Sequence, residues 1–318
     1  MIKDVFLFLL LLPTSSKAQV IDNISVVKNI NSEKYFRLHY DNDLFTSTDR
    51  YYTQGITVEG VIPVLKANPF NKLLLKPKQN ALKYGLRFDQ YGYTPTSIRS
   101  NSIFYGDRPF CGNLSFGTFL IALDSNQNSR LATTFTLGLI GSVAGGKEIQ
   151  VRIHQWVKSF IPLGWENQIA NDVIVDYQVN YEKQLTSASH WFLINSCSEI
   201  RLGTHTDKIK SGFNFMLGHF DNPYQSIATK KRMRFHLYGQ LLTGFTLYDA
   251  TLQGGWFNRK SPYTIAAKDI TRLTLQGDFG VVVNFKKVYL EYCQSFITKE
   301  FRMGLFHRWG GVRMGLSF

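Results

Sequence analysis

Very little in this chain favours a disulfide scaffold, a membrane helix or an acidic surface. Three cysteines in 318 residues, Cys111, Cys197 and Cys293, are odd in number and lack metal-site spacing. A disulfide framework and a cysteine-based zinc centre are therefore not expected. Beyond the first dozen residues, no apolar run approaches the eighteen or so that a membrane helix needs. Acidic residues are outnumbered, 23 against 36 Lys and Arg, for a formal net charge of +13. No linker, low-complexity stretch or internal repeat divides the chain.

Met1 to Ala18 has the form of a secretory leader. Lys3 supplies a positive start, Val5 to Leu12 an apolar core too short to span a bilayer, and Ser16-Lys17-Ala18 a small-x-small cleavage site before Gln19. Residues 19–318 read as one unit. The hydrophobic fraction is an ordinary 44%, yet aromatics reach 14%, with 25 Phe and 16 Tyr. A transmembrane β-barrel has this composition, because only alternate residues meet lipid and aromatic girdles mark both interfaces.

The alternation is clearest between Asp172 and Glu182. Val173, Val175, Tyr177, Val179 and Tyr181 share one parity, while Asp176, Gln178, Asn180 and Glu182 share the other with Ile174. Successive strand side chains point to opposite faces, so the segment is apolar on one side and polar on the other. Period-2 segments bounded by turn residues predict twelve strands, near 35–42, 53–62, 82–91, 112–123, 130–141, 172–184, 190–202, 208–219, 233–248, 270–285, 287–298 and 308–318. The fold expected is all-β: a twelve-stranded antiparallel transmembrane barrel of the bacterial outer membrane. An even count places both termini in the periplasm. The closing strand carries Val312, Met314, Leu316 and Phe318 on one face, and its terminal Phe resembles a barrel-assembly signal. The connection 63–81 is long for a periplasmic turn and departs from the pattern.

In this register the loops after odd-numbered strands face outward, and long irregular segments there are candidates for function. Four groups stand out: Asp41-Asn42-Asp43; Asp49-Arg50-Tyr51-Tyr52-Thr53-x-Gly55; the loop with Arg99 and Gly106-Asp107-Arg108; and Gly138 to Trp165. In the last, the period changes to about 3.6 from Gly146 to Phe160, which predicts a short helix in an extracellular loop. Ile149, Ile153, Trp156, Val157 and Phe160 form its apolar stripe, expected to lie on the barrel rim. Gln150 and His154 are i, i+4 neighbours beside it. Asn42 and Asp43, opposite Thr53, offer clustered hard oxygens of the kind Ca²⁺ prefers, or a polar barrel rim. Strict alternation groups Asp43 with inward Arg37 and His39, but Asn42 with outward Phe36 and Leu38. A bulge, or a site between wall and helix, would reconcile them.

The strings NDLFTSTDRYYTQG, YGDRPFCGNL, LGLIGSVAGGKEIQVRIHQ and GWENQ occur in that order, with TLQG at 251–254 and FRMG at 301–304 after them. Together they resemble the outer-membrane lipid A 3′-O-deacylase family, over nearly the whole mature length. The resemblance implies a twelve-stranded barrel that hydrolyses the acyloxyacyl ester at the 3′ position of lipid A with calcium. It places the family's catalytic residues on Asn42, Asp43, Thr53, Gln150 and His154, its metal ligands among Asp43, Asn42 and Thr53, and its phosphate-side arginine on Arg99. Two positions depart from the family: the lysine beside that arginine is Ile98, and the acid six residues after the histidine is Phe160. Glu148, Glu166 and Asp172 are the carboxylates that could replace that acid.

An imidazole changes protonation near neutral pH, which suits a general base. The implied partners are lipid A, the lipopolysaccharide phosphates and the bilayer. A monomer is expected, and nucleic acid is not. The rivals are an outer-membrane phospholipase A, which needs a serine where Trp156 stands, a porin-like or lipid A-binding barrel without catalysis, and a soluble secreted β-domain.

Overall fold

A computed structural model describes residues 24–46, 48, 50–78, 81–188, 191–225 and 233–318. The leader expected at 1–18, and Asp49, lie outside the described residues. Twelve antiparallel strands close into one barrel, each paired with its sequence neighbours and β1 with β12. They are β1 Tyr35–Asn42, β2 Tyr51–Val61, β3 Ala81–Thr94, β4 Cys111–Asp124, β5 Ser129–Ile140, β6 Asp172–Ala188, β7 Phe192–Gly203, β8 Thr206–His219, β9 Arg234–Asp249, β10 Leu273–Phe285, β11 Val288–Ile297 and β12 His307–Ser317. No described helix is long and apolar enough to cross a membrane.

Alternation sets the two faces as expected. Along β6, Ile174, Asp176, Gln178, Asn180 and Glu182 are buried inside, while Val173, Val175 and Tyr181 are exposed outside. Along β12, Val312, Met314 and Leu316 are outward and Arg313 is fully buried. Polar inward side chains fill the lumen in ion pairs. Arg37 reaches Glu59 at 2.6 Å, and Arg313 lies 3.3 Å from Asp41 and 3.5 Å from Glu291.

The chain before β1 also occupies the lumen. Ser25 donates to Gln240 at 2.8 Å and the Val26 amide donates to Glu182 at 2.8 Å. Lys83 donates to the Ile30 carbonyl at 3.3 Å. This places a short 3₁₀ turn, Val26–Lys28, across the end of the barrel where β1 begins. The strand periodicity carried no sign of it.

The departure at 63–81 is a second feature of that end. Instead of a turn, the β2–β3 connection contains two 3₁₀ turns, Pro63–Ala67 and Pro69–Leu73, each with proline in its first turn. Proline lacks the amide hydrogen that would be orphaned there. The expected outer loop at 203–207 is only a tight turn, with β7 ending at Gly203 and β8 starting at Thr206.

Candidate functional site

The helix that periodicity predicted is α1, Gly146–Trp156. It ends four residues short of Phe160. Lys158 takes a left-handed backbone with φ 55°, and the Ser159 amide bonds back to the His154 carbonyl at 2.8 Å. Pro162 comes soon after, which favours extended backbone before it.

The helix also sits the other way round from the orientation the apolar stripe suggested. Gly146, Gln150 and His154 are buried against the barrel, whereas Trp156 is 84% exposed and Val157 and Phe160 also face out. The underlying wall explains the inversion. α1 rests on β3 and β4, where the outward residues Gly92 and Gly112 are register partners. A Cβ on Gly112 would come within 3.2 Å of the Gly146 amide and 3.0 Å of the Gly141 carbonyl, so only glycine lets the helix start lie this close. The wall beside these glycines is polar. Gln150 and His154 turn toward the wall, Ile149 and Ile153 are half-buried at its edge, and Trp156, Val157 and Phe160 are left outward.

A bulge completes the patch. In β2 the register slips between Tyr52 and Gln54, which leaves Thr53 as the extra residue. Tyr52 turns inward against Tyr93 and Trp309, while Thr53 and Gln54 converge on Gly92: a Cβ there would be 3.7 Å from Thr53, Gln54 and Trp165 alike. Asn42 is the register partner of Gln54 on the same outward face. The bulge brings Thr53 to the outward face with Asn42, while Asp43 leaves the strand alternation in the 3₁₀ turn Asp43–Thr46 that follows β1.

Three side chains form a directed relay across the cleft. The Trp165 indole N–H donates to Gln150 Oε1 at 2.7 Å, and Gln150 Nε2 donates to Thr53 Oγ1 at 3.1 Å. Because that hydroxyl accepts from Gln150, its own hydrogen is available to another partner. One turn further along α1, His154 Nδ1 lies 2.6 Å from the Phe160 carbonyl oxygen. A carbonyl only accepts, so Nδ1 carries the hydrogen and the neutral ring presents its lone pair at Nε2.

The orienting partner is therefore the main chain at Phe160. None of the three candidate carboxylates takes this place. Glu148 and Glu166 are exposed, and Asp172 accepts the Phe257 and Asn258 amides at 2.7 and 2.9 Å.

The Arg99 guanidinium lies 5.5 Å from the centroid of the Phe160 ring and is exposed above it. Ile98, where the family resemblance has lysine, is buried with Phe110 and Trp165, and its carbonyl accepts the Leu163 amide at 2.8 Å. Asn42 caps its own turn, accepting the Leu44 amide at 2.7 Å, and donates to the Tyr40 hydroxyl at 3.2 Å. Asp43 is buried and accepts the Arg50 amide at 2.6 Å.

Asp43, Asn42 and Thr53 present only hard oxygen, which fits calcium in kind. They contain one carboxylate, and no described group of three or more His, Cys, Asp or Glu side chains could hold a metal. A calcium ion here would take its remaining ligands from main chain, water or substrate. Arg108 stands apart from this cleft. It pairs with Glu300, donates to Thr251 at 2.6 Å and packs over Tyr93 at 3.9 Å, so it clasps three outer loops together.

Two residues escaped the sequence reading. Gln54 and Gln90 point outward on neighbouring strands and are almost fully buried, and neither carboxamide has a hydrogen-bond partner among the described residues. A polar residue on the outward parity of a strand was the available signal.

Closed topology, a polar filled lumen and an outward apolar surface define an outer-membrane β-barrel whose candidate site lies on the outside of its wall. No curated protein matches the chain. Residues 5–318 match the family described as Outer membrane protein LpxR, and the chain belongs to that family, the lipid A deacylase family its sequence resembles. Among solved structures, LpxR from Salmonella typhimurium superposes with a TM-score of 0.72 at 18% identity, covering 89% of this chain and all (100%) of that one. The β domain of the Bordetella autotransporter BrkA gives 0.47 at 10% identity, over 90% and 99% of the two chains. The protein is an outer-membrane protein.

Proposed function

We propose that this protein is a lipid A deacylase that hydrolyses the ester of the 3′-linked acyloxyacyl group, with His154 as general base toward water. The observation that carries the reading is the His154–Phe160 contact beside the Trp165–Gln150–Thr53 relay. It gives a base of defined tautomer one helical turn from hydroxyl and carboxamide groups, on the outward face of the wall rather than in its lumen.

Nε2 of His154 takes the proton from water as oxygen attacks the ester carbonyl, and the imidazolium that forms returns it to the leaving alkoxide. Phe160 acts as a positioning residue: its carbonyl holds the ring and stabilises the positive charge as it develops. The Thr53 hydroxyl, its acceptor side engaged by Gln150, is oriented to donate toward the carbonyl oxygen. Calcium bound by Asp43, with Asn42 and Thr53, would supply further stabilisation of that oxyanion. Arg99, exposed above Phe160, meets a lipid A phosphate by a charge-assisted contact. Lipid A lies in the outer leaflet, and the cleft opens at the strand ends opposite the N-terminal segment.

A passive channel fits less well, because the N-terminal segment and buried ion pairs fill the lumen. The test is mass spectrometry of lipid A incubated with detergent-purified protein, with Ca²⁺, with EDTA and with His154→Ala. Loss of the acyloxyacyl mass, abolished by EDTA and by the substitution, is the expected result. Folded protein that leaves lipid A intact in ample calcium would shift the reading to a lipid A-binding barrel.

A further inference from the structure

The β2–β3 connection leaves the periplasmic end and climbs the outside of the wall. Asn71 accepts from Thr118 of β4 at 3.1 Å, and the Leu75 amide donates to the Tyr177 hydroxyl of β6 at 2.8 Å. Thr133 of β5 donates to the Leu75 carbonyl at 3.4 Å, and Phe70 stacks on Phe135 with centroids 6.4 Å apart. Thr118, Thr133, Phe135 and Tyr177 all have outward parity. A hydroxyl facing hydrocarbon without a partner is costly, and this segment satisfies three of them. Leu74 packs beneath it with Tyr84 and Leu120. The segment is thus a strap fixed across β3 to β6, where lipid would otherwise lie.

Its outer surface combines two features. Val64, Phe70, Leu73 and Leu75 are 50–70% exposed. Lys66, Lys72, Lys76 and Lys78 are exposed among them, and from 63 to 80 there is no Asp or Glu. At the strand ends beside the first 3₁₀ turn is a cavity of about 350 Å³, lined by Ile62, Pro63, Leu82 and Tyr84 with Lys66, the lumen-side Lys83 and one acid, Glu33. Exposed apolar side chains continuous with a lipid-facing wall belong in acyl chains. Lysines on long stems reach from that depth to the headgroups.

We propose that residues 63–78 are an interfacial strap that binds anionic phospholipid of the periplasmic leaflet, with phosphate recognised by Lys66, Lys72, Lys76 and Lys78 and an acyl chain laid along Val64, Phe70 and Leu73. The strap leaves the strand ends opposite the His154 site and rests on Thr118, Thr133, Phe135 and Tyr177, none of which belongs to that site, so this inference does not depend on the proposed hydrolysis. A cluster of lysines close to an anionic surface is attracted to it, and the attraction is screened beyond a Debye length.

Two measurements test it on the full chain. Native mass spectrometry of protein released from mixed phosphatidylglycerol and phosphatidylcholine micelles should show phosphatidylglycerol retained with a preference of roughly threefold or more. Replacing all four lysines (K66Q, K72Q, K76Q, K78Q) should abolish that preference. In vesicles of brominated-chain phosphatidylglycerol, the additional emission contributed by Phe70→Trp should be quenched, and less so when brominated phosphatidylcholine replaces it. Equal retention of both lipids by the parent protein, or the preference surviving the four substitutions, overturns the proposal. Emission from Phe70→Trp that is insensitive to brominated lipid overturns it independently, even if the four-lysine variant fails to insert.

Discussion

His154 Nδ1 and the Phe160 carbonyl oxygen are 2.6 Å apart, six residues of chain folded back through a left-handed turn at Lys158. The contact uses main chain, so the side chain at 160 is not what orients the ring. Phe160→Ala should therefore keep kcat for lipid A hydrolysis within about threefold, a barrier change of roughly 0.6 kcal/mol. KM should rise, because Arg99 loses the ring on which it rests. A loss in kcat as large as that of His154→Ala would show that the ring, and not the carbonyl, matters.

Trp165 sets the direction of the relay. Without the indole donor, Gln150 can flip its carboxamide and present oxygen to Thr53, and the hydroxyl then turns its hydrogen back toward Gln150. Trp165→Phe removes one hydrogen bond, worth about 1 kcal/mol, and should lower kcat roughly five- to tenfold. Gln150→Leu should cost more, about 10²-fold, with little change in KM. Equal rates for all three proteins would remove the relay from the mechanism.

Gln54 and Gln90 hold buried carboxamides, without partners among the described residues, on the face where substrate would lie. Such groups gain when a ligand carbonyl comes within hydrogen-bond reach, and they destabilise the protein when nothing does. Gln54→Leu should raise thermal stability by a few degrees in detergent while raising KM for lipid A about tenfold. A variant that melts lower and binds unchanged would mean the amide is satisfied in the free protein.

Every strand was legible because alternation is a local property: each inward residue of β6 could be assigned from its parity alone. The helix was legible as a helix, but its orientation was not. Periodicity locates an apolar stripe without stating what lies beneath, and here Gly92 and Gly112 let the helix approach a wall made polar by Thr53, Gln54 and Gln90. In a membrane protein an apolar helix face has a second destination, the lipid. The Phe160 substitution was visible and its remedy was not, because a main-chain carbonyl is present at every position. The N-terminal segment and the strap were missed for a related reason. Their hydrogen bonds run to residues 156 or 102 positions away, and no short-range pattern records them.

Asp43 is the single carboxylate among the three oxygen donors expected for calcium. Asp43→Asn keeps the shape and the bond from the Arg50 amide but removes the charge. It should shift the calcium dependence of hydrolysis upward by about tenfold or more, with activity recovered at high Ca²⁺. Thr53→Val should not recover in this way, because it also breaks the bond from Gln150. Hydrolysis by the parent protein that persists in EDTA would exclude the ion and leave Thr53 and His154 to act alone.

The N-terminal segment makes its own prediction. Ser25, Val26 and Ile30 bond to Gln240, Glu182 and Lys83, on three separate strands, so the turn is tied across the lumen rather than resting at its mouth. In planar bilayers the intact protein should show no steady conductance. Deleting residues 24–31 from the exported chain removes the obstruction and exposes Glu182, which had accepted from the Val26 amide. Small, cation-selective currents are then expected, with lipid A hydrolysis retained because the His154 cleft lies outside the wall at the opposite end. Equal conductance before and after the deletion would mean that side chains such as Arg313, Lys208 and Trp309 seal the lumen by themselves. Steady conductance by the intact protein would instead revive the porin reading.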